Sequence, residues 1–165
     1  SDVIYAMNNQ SEKPGYGYQL RQGATSLTEA WDARPQSSNN HFMLGQIMEW
    51  FYHDLAGIQP ITEAPGFKQV RIKPSFPADL AWVEAAYNSP YGKVTSRWER
   101  TGARTNLNVT IPPNTTGEIH LPGADPRSVT EQGRPAGKSA GVKLLRHEDG
   151  SAVYKVSSGR YEFAW

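Results

Sequence analysis

The sequence predicts an α+β chain in which a short helical segment is followed by an antiparallel β-sandwich. Two observations carry this prediction. Apolar residues between positions 40 and 55 recur around a helix, whereas after Gly57 apolar and polar residues alternate with the period of two typical of half-buried strands. Turn signals separate the alternating runs at short intervals, as in a sandwich. We therefore expect a helical part over residues 1–60 and a β-sandwich domain over residues 66–165.

The main helix is predicted from Asn40 to Leu55. Its Phe, Met, Leu, Ile and Trp side chains cover most of the helical circumference, so we expect a helix that is buried on several sides. Ser38, Asn39 and Asn40 can cap its start because their side chains accept from unpaired amides. Gly57 can end it in a left-handed conformation.

A second, shorter helix is predicted over residues 2–9, and it stops near Pro14-Gly15. The polar segment from Gly15 to Asn39 then reads as a loop, and it is too long for a routine connection between helices. Loops of this length often carry function, so the segment becomes the first place to look for a site.

The β-sandwich rests on five runs of alternating apolar residues. They are separated by turn signals such as Ser89-Pro90-Tyr91-Gly92 and Pro112-Pro113-Asn114, and six to eight strands are expected in all. The runs are Val70 and Ile72; Val94, Ser96 and Trp98; Leu107, Val109 and Ile111; Ile119 and Leu121; and Tyr161, Phe163 and Trp165.

Composition excludes several classes of protein. With 38% hydrophobic residues and five Trp, the chain of 165 residues should fold, yet it has no apolar run of the roughly 18 to 20 residues that cross a bilayer. It carries no cysteine, which excludes disulfides and thiolate chemistry but leaves the compartment open between cytoplasm, periplasm and secretion. Because the chain starts at Ser1 within an apolar segment, we expect a piece of a longer polypeptide.

Charge is unevenly distributed along the chain. Residues 1–65 hold three basic and seven acidic side chains, and residues 66–165 hold 14 basic and nine acidic ones. The basic residues are scattered through strand-like sequence without a dense block or a reading helix, so nucleic acid is not an expected partner. A purely structural interpretation is that the acidic helical half docks on the basic sandwich half.

Two places in the helical half could carry chemistry. Glu29 lies beside Trp31 in the long loop, and a carboxylate next to an indole is a common way to present an acid or base to a sugar. A surface charge beside a core aromatic is the commoner meaning of this pattern. His41 opens the main helix and could face a cleft or bond a backbone carbonyl. The sequence predicts neither a metal site nor a cofactor, since Glu49 and His53 lack a third ligand.

Taken together, these motifs resemble the C-terminal end of bacterial α-L-rhamnosidases of glycoside hydrolase family 78. The resemblance covers residues 5–123 well. It rests on Pro14-Gly15-Tyr16-Gly17-Tyr18, Gly23-Ala24-Thr25, Glu29 with Trp31-Asp32, Asn40-His41, Glu49-Trp50, Leu55-Ala56-Gly57-Ile58, Pro65-Gly66-Phe67-Lys68, Ile72-Lys73-Pro74, Ser89-Pro90-Tyr91-Gly92, Trp98, Ile111-Pro112-Pro113-Asn114-Thr115-Thr116 and Leu121-Pro122.

The resemblance implies a place for each part of the chain. Residues 1–60 would be the last helices and loop of an (α/α)6 catalytic barrel, and the sandwich would follow it. Glu29 would be the general base of an inverting hydrolase of rhamnose-containing glycosides, with Trp31 and His41 as substrate-binding residues. Members commonly have an aromatic residue before this Glu, where the present chain has Thr28; the departure bears on the shape of the sugar subsite.

The resemblance also implies what this chain lacks. The general acid would lie upstream in the barrel, so the chain alone should be inactive, and its exposed helical part could self-associate. An alternative from another class makes the sandwich a carbohydrate-binding module with Trp82, Tyr91 and Trp98 as a stacking platform. Alternation weighs against it, because Trp98 shares a face with Val94 as a core residue would.

Overall fold

The computed structural model describes residues 1–165 and divides into two compact units, Ser1–Phe51 and Tyr52–Trp165. The division lies earlier than the predicted boundary between residues 60 and 66. The reason is that β1 (Ile58–Pro60) already pairs with the next strand of the second unit. A strand of three residues is too short to show an alternating pattern, so the sequence gives it no signal.

The helices of the chain are short. They are α1 (Asp2–Asn8), α2 (Tyr16–Arg21), α3 (Phe42–Gly45) and α4 (Ile47–Trp50), followed by a π-helical turn at Phe51–Leu55. No helix of the structure is both long enough and apolar enough to cross a membrane.

Two details of the helical part differ from the predictions. The segment expected to be one long loop contains α2, which Gly15 precedes. The main helix begins with His41 as its N-cap, and no side chain caps it. The hydroxyl of Ser38, which is exposed, instead accepts from the Asn40 amide at 3.4 Å within the preceding loop.

The main helical segment is not buried on several sides within this chain. Trp50 and Leu55 are its buried apolar side chains, whereas Phe42 is 82% exposed. The apolar residues that the sequence placed all around the helix therefore form a surface, and self-association through it stays a prediction. The other exposed apolar residues of the first unit are Val3, Ile4, Met7, Leu20, Met43, Met48 and Phe51.

The second unit is a sandwich of two sheets. Their strands are β1 (Ile58–Pro60), β2 (Gln69–Ile72), β3 (Trp82–Ser89), β4 (Gly92–Thr101), β5 (Arg104–Ile111), β6 (Thr116–Pro122), β7 (Thr130–Glu131), β8 (Arg134–Pro135), β9 (Val142–Glu148), β10 (Ser151–Val156) and β11 (Gly159–Ala164), with a 3-10 turn at Ala136–Lys138. One sheet has the order β1-β2-β6-β10-β9 and the other β3-β4-β5-β11-β7-β8.

Pairing is antiparallel except between β2 and β6, which run parallel. The β-sandwich prediction is confirmed, with more strands than expected and this one parallel pair. The five alternating runs supply the centre of the core, where Trp98 and Phe163 are fully buried. Trp98 also donates its indole N–H to the Leu55 carbonyl at 2.7 Å, which satisfies a polar atom inside an apolar core.

Candidate functional site

Glu29 lies on a loop that runs alongside a second stretch of the same unit. The Glu29 amide donates to the Ser38 carbonyl at 2.8 Å, and the His41 amide donates to the Leu27 carbonyl at 2.8 Å. These two bonds hold residues 27–29 against residues 38–41. The stretch that carries the candidate base and the stretch that carries the candidate sugar-binding histidine are therefore neighbours.

The inner side of this loop is anchored by a buried amide. Gln19 of α2 directs Nε2 at the Thr28 hydroxyl at 2.8 Å and at the Thr28 carbonyl at 3.2 Å. The Thr28 hydroxyl in turn donates to the Ala30 carbonyl at 2.7 Å. Both Gln19 and Thr28 are buried. Thr28 thus points inward and Glu29, the next residue, is exposed to solvent.

Trp31 is half-buried and makes an edge-to-face contact with Tyr16, with ring centroids 5.6 Å apart. Tyr16 is itself fixed, because its hydroxyl donates to the Leu44 carbonyl at 2.5 Å. Burial raises the pKa of Tyr16, so this phenol stays neutral and remains a hydrogen-bond donor. Trp31 consequently sits in a defined orientation, with part of the indole open to solvent.

His41 is also half-buried, as the N-cap residue of α3. Its ring stacks on that of Phe42 with centroids 5.8 Å apart, and neither ring nitrogen has a hydrogen-bond partner within the chain. Within this chain the His41 ring therefore makes no bond to a backbone carbonyl, and its role as a substrate-binding residue stays a prediction.

A charge cluster that sequence reasoning missed lies next to the site. Asp32 accepts from Lys13 at 2.6 Å and from the guanidinium of Arg34 at 2.7 and 3.1 Å. The hydrogen bonds from Lys13 and then Arg34 hold the pKa of Asp32 below its usual range. Lys13 is 19 positions away in sequence, so no local pattern marks this pair. Asp32 is neutralised by two cations and is a poor candidate for a second catalytic carboxylate.

The arrangement supplies one exposed carboxylate, one unpaired imidazole and one oriented indole from a single unit. No hydrogen bond joins the Glu29 side chain to His41 or Trp31. No group of three or more His, Asp or Glu side chains converges as a metal site would require. Such a set can activate a water and contact a sugar, but one carboxylate alone cannot perform both acid and base steps.

The proposed stacking platform on the sandwich is not assembled. Trp98 is fully buried, as its alternation with Val94 indicates, whereas Trp82 is 55% exposed and Tyr91 is also exposed. Trp82 begins β3 and Tyr91 follows its end, so about 23 Å of strand separates them. Three aromatic rings on one face are therefore not available to a sugar chain.

Two family models match the chain. The model described as the bacterial alpha-L-rhamnosidase 6 hairpin glycosidase domain matches residues 1–55. The model described as the bacterial alpha-L-rhamnosidase C-terminal domain matches residues 57–136. The junction between the two matches falls at Ala56, next to the π-helical turn that precedes β1.

Sequence relatives and solved structures agree with the family models. The chain is 32% identical to an alpha-L-rhamnosidase of Streptomyces avermitilis and to one of Formosa agariphila, over 99% and 98% of its length. The crystal structure of the Streptomyces avermitilis enzyme, complexed with L-rhamnose, superposes with a TM-score of 0.85. The structure of alpha-L-rhamnosidase from Dictyoglumus thermophilum superposes with a TM-score of 0.82 at 30% identity, again over 99% of this chain. The chain spans only 16% to 18% of these relatives.

Proposed function

Since this chain belongs to the bacterial α-L-rhamnosidase family, we propose that it carries the general base of an inverting glycoside hydrolase that releases terminal α-L-rhamnose. In this proposal Glu29 deprotonates the attacking water. The observation that carries it is the Glu29 loop, whose backbone is bonded on both sides while its carboxylate points to solvent without a partner. A carboxylate oxygen without a partner is available to accept a hydrogen bond from the attacking water.

The general acid belongs, in the same proposal, to the barrel residues that precede this chain in the longer polypeptide. Inversion needs two carboxyl groups about 6.5 to 9.5 Å apart, with the water between one of them and the sugar. Asp32 is held by Lys13 and Arg34, and so it does not fill that role. The chain by itself is therefore expected to be catalytically inactive.

Trp31 and His41 serve as substrate contacts in this proposal. The open part of the Trp31 indole offers an apolar face for the sugar ring, and the free ring nitrogens of His41 can bond a sugar hydroxyl. Both are binding roles, so their loss should raise KM more than it lowers kcat.

The test is the variant Glu29→Gln in the full-length protein, assayed with an aryl α-L-rhamnoside. Gln keeps the size of the side chain but cannot accept a proton, so turnover should fall about 10²- to 10⁴-fold. Glu49→Gln is the matched control, because Glu49 is also exposed on the first unit and its carboxylate makes no hydrogen bond or ion pair. Near-normal turnover of Glu29→Gln would exclude the assignment.

A second variant separates loss of the base from loss of folding. In Glu29→Ala, added azide should restore turnover, because azide is already an anion and attacks without a general base. The product should be the rhamnosyl azide of inverted configuration. A misfolded protein would not respond to azide.

A further inference from the structure

We propose that Gln19 is a positioning residue that holds the Glu29 loop in its catalytic geometry; this inference rests on the proposed role of Glu29. Gln19 is 3% exposed and Thr28 is 2% exposed, in a unit that buries few side chains. Burying an amide and a hydroxyl is costly unless each finds partners. All hydrogen-bond partners of the Gln19 side-chain amide lie on residues 28 and 30, the two neighbours of Glu29.

The bonds form a relay that spans Glu29. Gln19 Nε2 donates to the Thr28 hydroxyl at 2.8 Å, and that hydroxyl donates to the Ala30 carbonyl at 2.7 Å. The same Nε2 lies 3.2 Å from the Thr28 carbonyl and 3.4 Å from the Ala30 carbonyl. With the Glu29 amide bonded to Ser38, the backbone is held before, at and after the candidate base. The Glu29 side chain is left free to act.

The chemistry of this anchor requires an amide at position 19. One NH₂ group supplies two donors, and its targets are two carbonyls and a hydroxyl that already donates elsewhere. A carboxylate at this position would only accept and would repel the carbonyls, while an apolar side chain would leave them unpaired.

Removing the anchor should therefore act on catalysis through Glu29. A displacement of about 1 Å at a catalytic group can cost on the order of 10² in rate. We expect Gln19→Leu in the full-length protein to lower kcat about 10- to 100-fold, with KM for an aryl rhamnoside changed by less than about threefold. The control Gln22→Leu makes the same chemical change on an exposed side chain without hydrogen bonds and should leave both constants unchanged.

A double-mutant cycle is the decisive experiment. If Gln19 acts by positioning Glu29, then Gln19→Leu should have little effect on kcat once Glu29 has been replaced. The losses of kcat in the two single variants will then not add in the double variant. In the Glu29→Gln background, Gln19→Leu should cost less than about threefold. Additive losses, or a Gln19→Leu variant with normal kcat, would overturn the inference.

The cycle also separates this inference from the function on which it rests. If Glu29→Gln itself keeps normal turnover, the proposed base is wrong, whatever Gln19 does. If Glu29→Gln is inactive and Gln19→Leu is normal, only the positioning role is wrong. Should Gln19→Leu fail to fold, Thr28→Val removes the relay hydroxyl alone, and it must show the same lowered kcat and the same non-additivity with Glu29→Gln, or the inference fails.

Discussion

A single carboxylate, Glu118 of β6, joins strands on the outer face of the five-stranded sheet. His120 Nε2 lies 2.7 Å from it, Arg146 of β9 3.2 Å and Arg71 of β2 3.4 Å. Burial alone would raise the pKa of Glu118, but the hydrogen bonds from Arg146 and His120 outweigh it and lower the pKa to about 2. Burial also lowers the pKa of His120, so near neutral pH His120 donates as a neutral ring and Arg146 supplies the positive charge.

This carboxylate makes the stability of the sandwich depend on acid. The folded pKa is about 2 and the ordinary value is 4.5, so the contribution is complete above pH 4.5 and is lost as the pH falls towards 2. The Glu118 side chain is only 19% exposed, and the difference between these two pKa values corresponds to about 3 kcal/mol. Glu118→Gln should remove that much from the free energy of unfolding at pH 7 and flatten its dependence between pH 4.5 and 2.

The measurement is urea unfolding of both proteins at a series of pH values. Glu162→Gln is the control, because Glu162 is exposed on β11 and forms no ion pair. For Glu162→Gln, the free energy of unfolding should depend on pH in the same way as for the unchanged protein. If Glu118→Gln also keeps the pH dependence of the unchanged protein, protonation of Glu118 contributes no more to stability than protonation of a surface carboxylate.

Sequence reasoning finds residues whose signal is local and misses those whose partners are distant. Glu29, Trp31 and His41 lie in short motifs and could be named from the sequence; their roles stay predictions. Gln19 carries no such signal, because its meaning depends on a hydroxyl nine positions away that is buried only in the fold. Likewise Glu118 meets Arg146 from 28 positions away.

Strands show the same limit at the scale of whole elements. Runs with one buried face alternate, and they were predicted correctly. β10 buries Val153 between Ser151 and Lys155 on one face, and Ala152, Tyr154 and Val156 on the other, so the buried Val153 hides the period of two. β3 is an edge strand in which exposure alternates only over residues 82–86, with Val83 and Ala85 partly buried against the core, and the two residues that follow are both exposed. The period of two is seen in the sequence only where one face of the strand is exposed to solvent and the other is buried.

The entry into the sandwich depends on Gly57, as the sequence predicts for a residue that ends the preceding helix. Its φ is +75°, and an added Cβ would lie 2.3 Å from the Lys73 carbonyl carbon and the Pro74 nitrogen. Both atoms are backbone and cannot turn away. Gly57 is thus required twice, for its left-handed conformation and for the close approach of the chain at Lys73, whose amide donates to the Gly57 carbonyl at 2.9 Å.

Gly57→Ala should destabilise the second unit by about 3 to 5 kcal/mol, which combines the left-handed strain with overpacking. Gly66→Ala is a matched control: its φ is +71°, but no atom lies within 4 Å of an added Cβ. That variant should lose only about 1 to 2 kcal/mol. Thermal unfolding of the two variants checks this, and equal losses would show that the contact at Lys73 has room to relax.

At the scale of the whole molecule, the two units differ in how they are stabilised. The second unit has a continuous apolar core under both sheets. The first unit exposes most of its large apolar side chains and relies on loop hydrogen bonds such as those around Gln19. A unit of about 50 residues with so small a core is marginal alone. We therefore expect the second unit to stay folded at temperatures and denaturant concentrations at which the first unit unfolds.

Limited proteolysis of the 165-residue chain locates the start of the stable part. The sequence alone predicts that a protease removes residues from the N-terminus as far as Pro65. The structure indicates that the resistant fragment begins further upstream. Leu55 and Ala56 are buried, and their carbonyls accept from the Trp98 indole and the Ser96 hydroxyl at 2.7 Å each. Cleavage requires these bonds to open, so the resistant fragment should begin between residues 51 and 57, as read by its mass and N-terminal sequence.

Trp98→Phe tests the cause of that boundary. Phe keeps an aromatic ring in the core but cannot donate to the Leu55 carbonyl, so the segment before β1 loses one of its two side-chain bonds. The start of the resistant fragment should then move downstream, towards Pro65, while β2 to β11 stay protected. A resistant fragment that starts near Pro65 already in the unchanged chain would mean that these two bonds do not hold the segment. The division between the units would then lie where the charge pattern of the sequence changes.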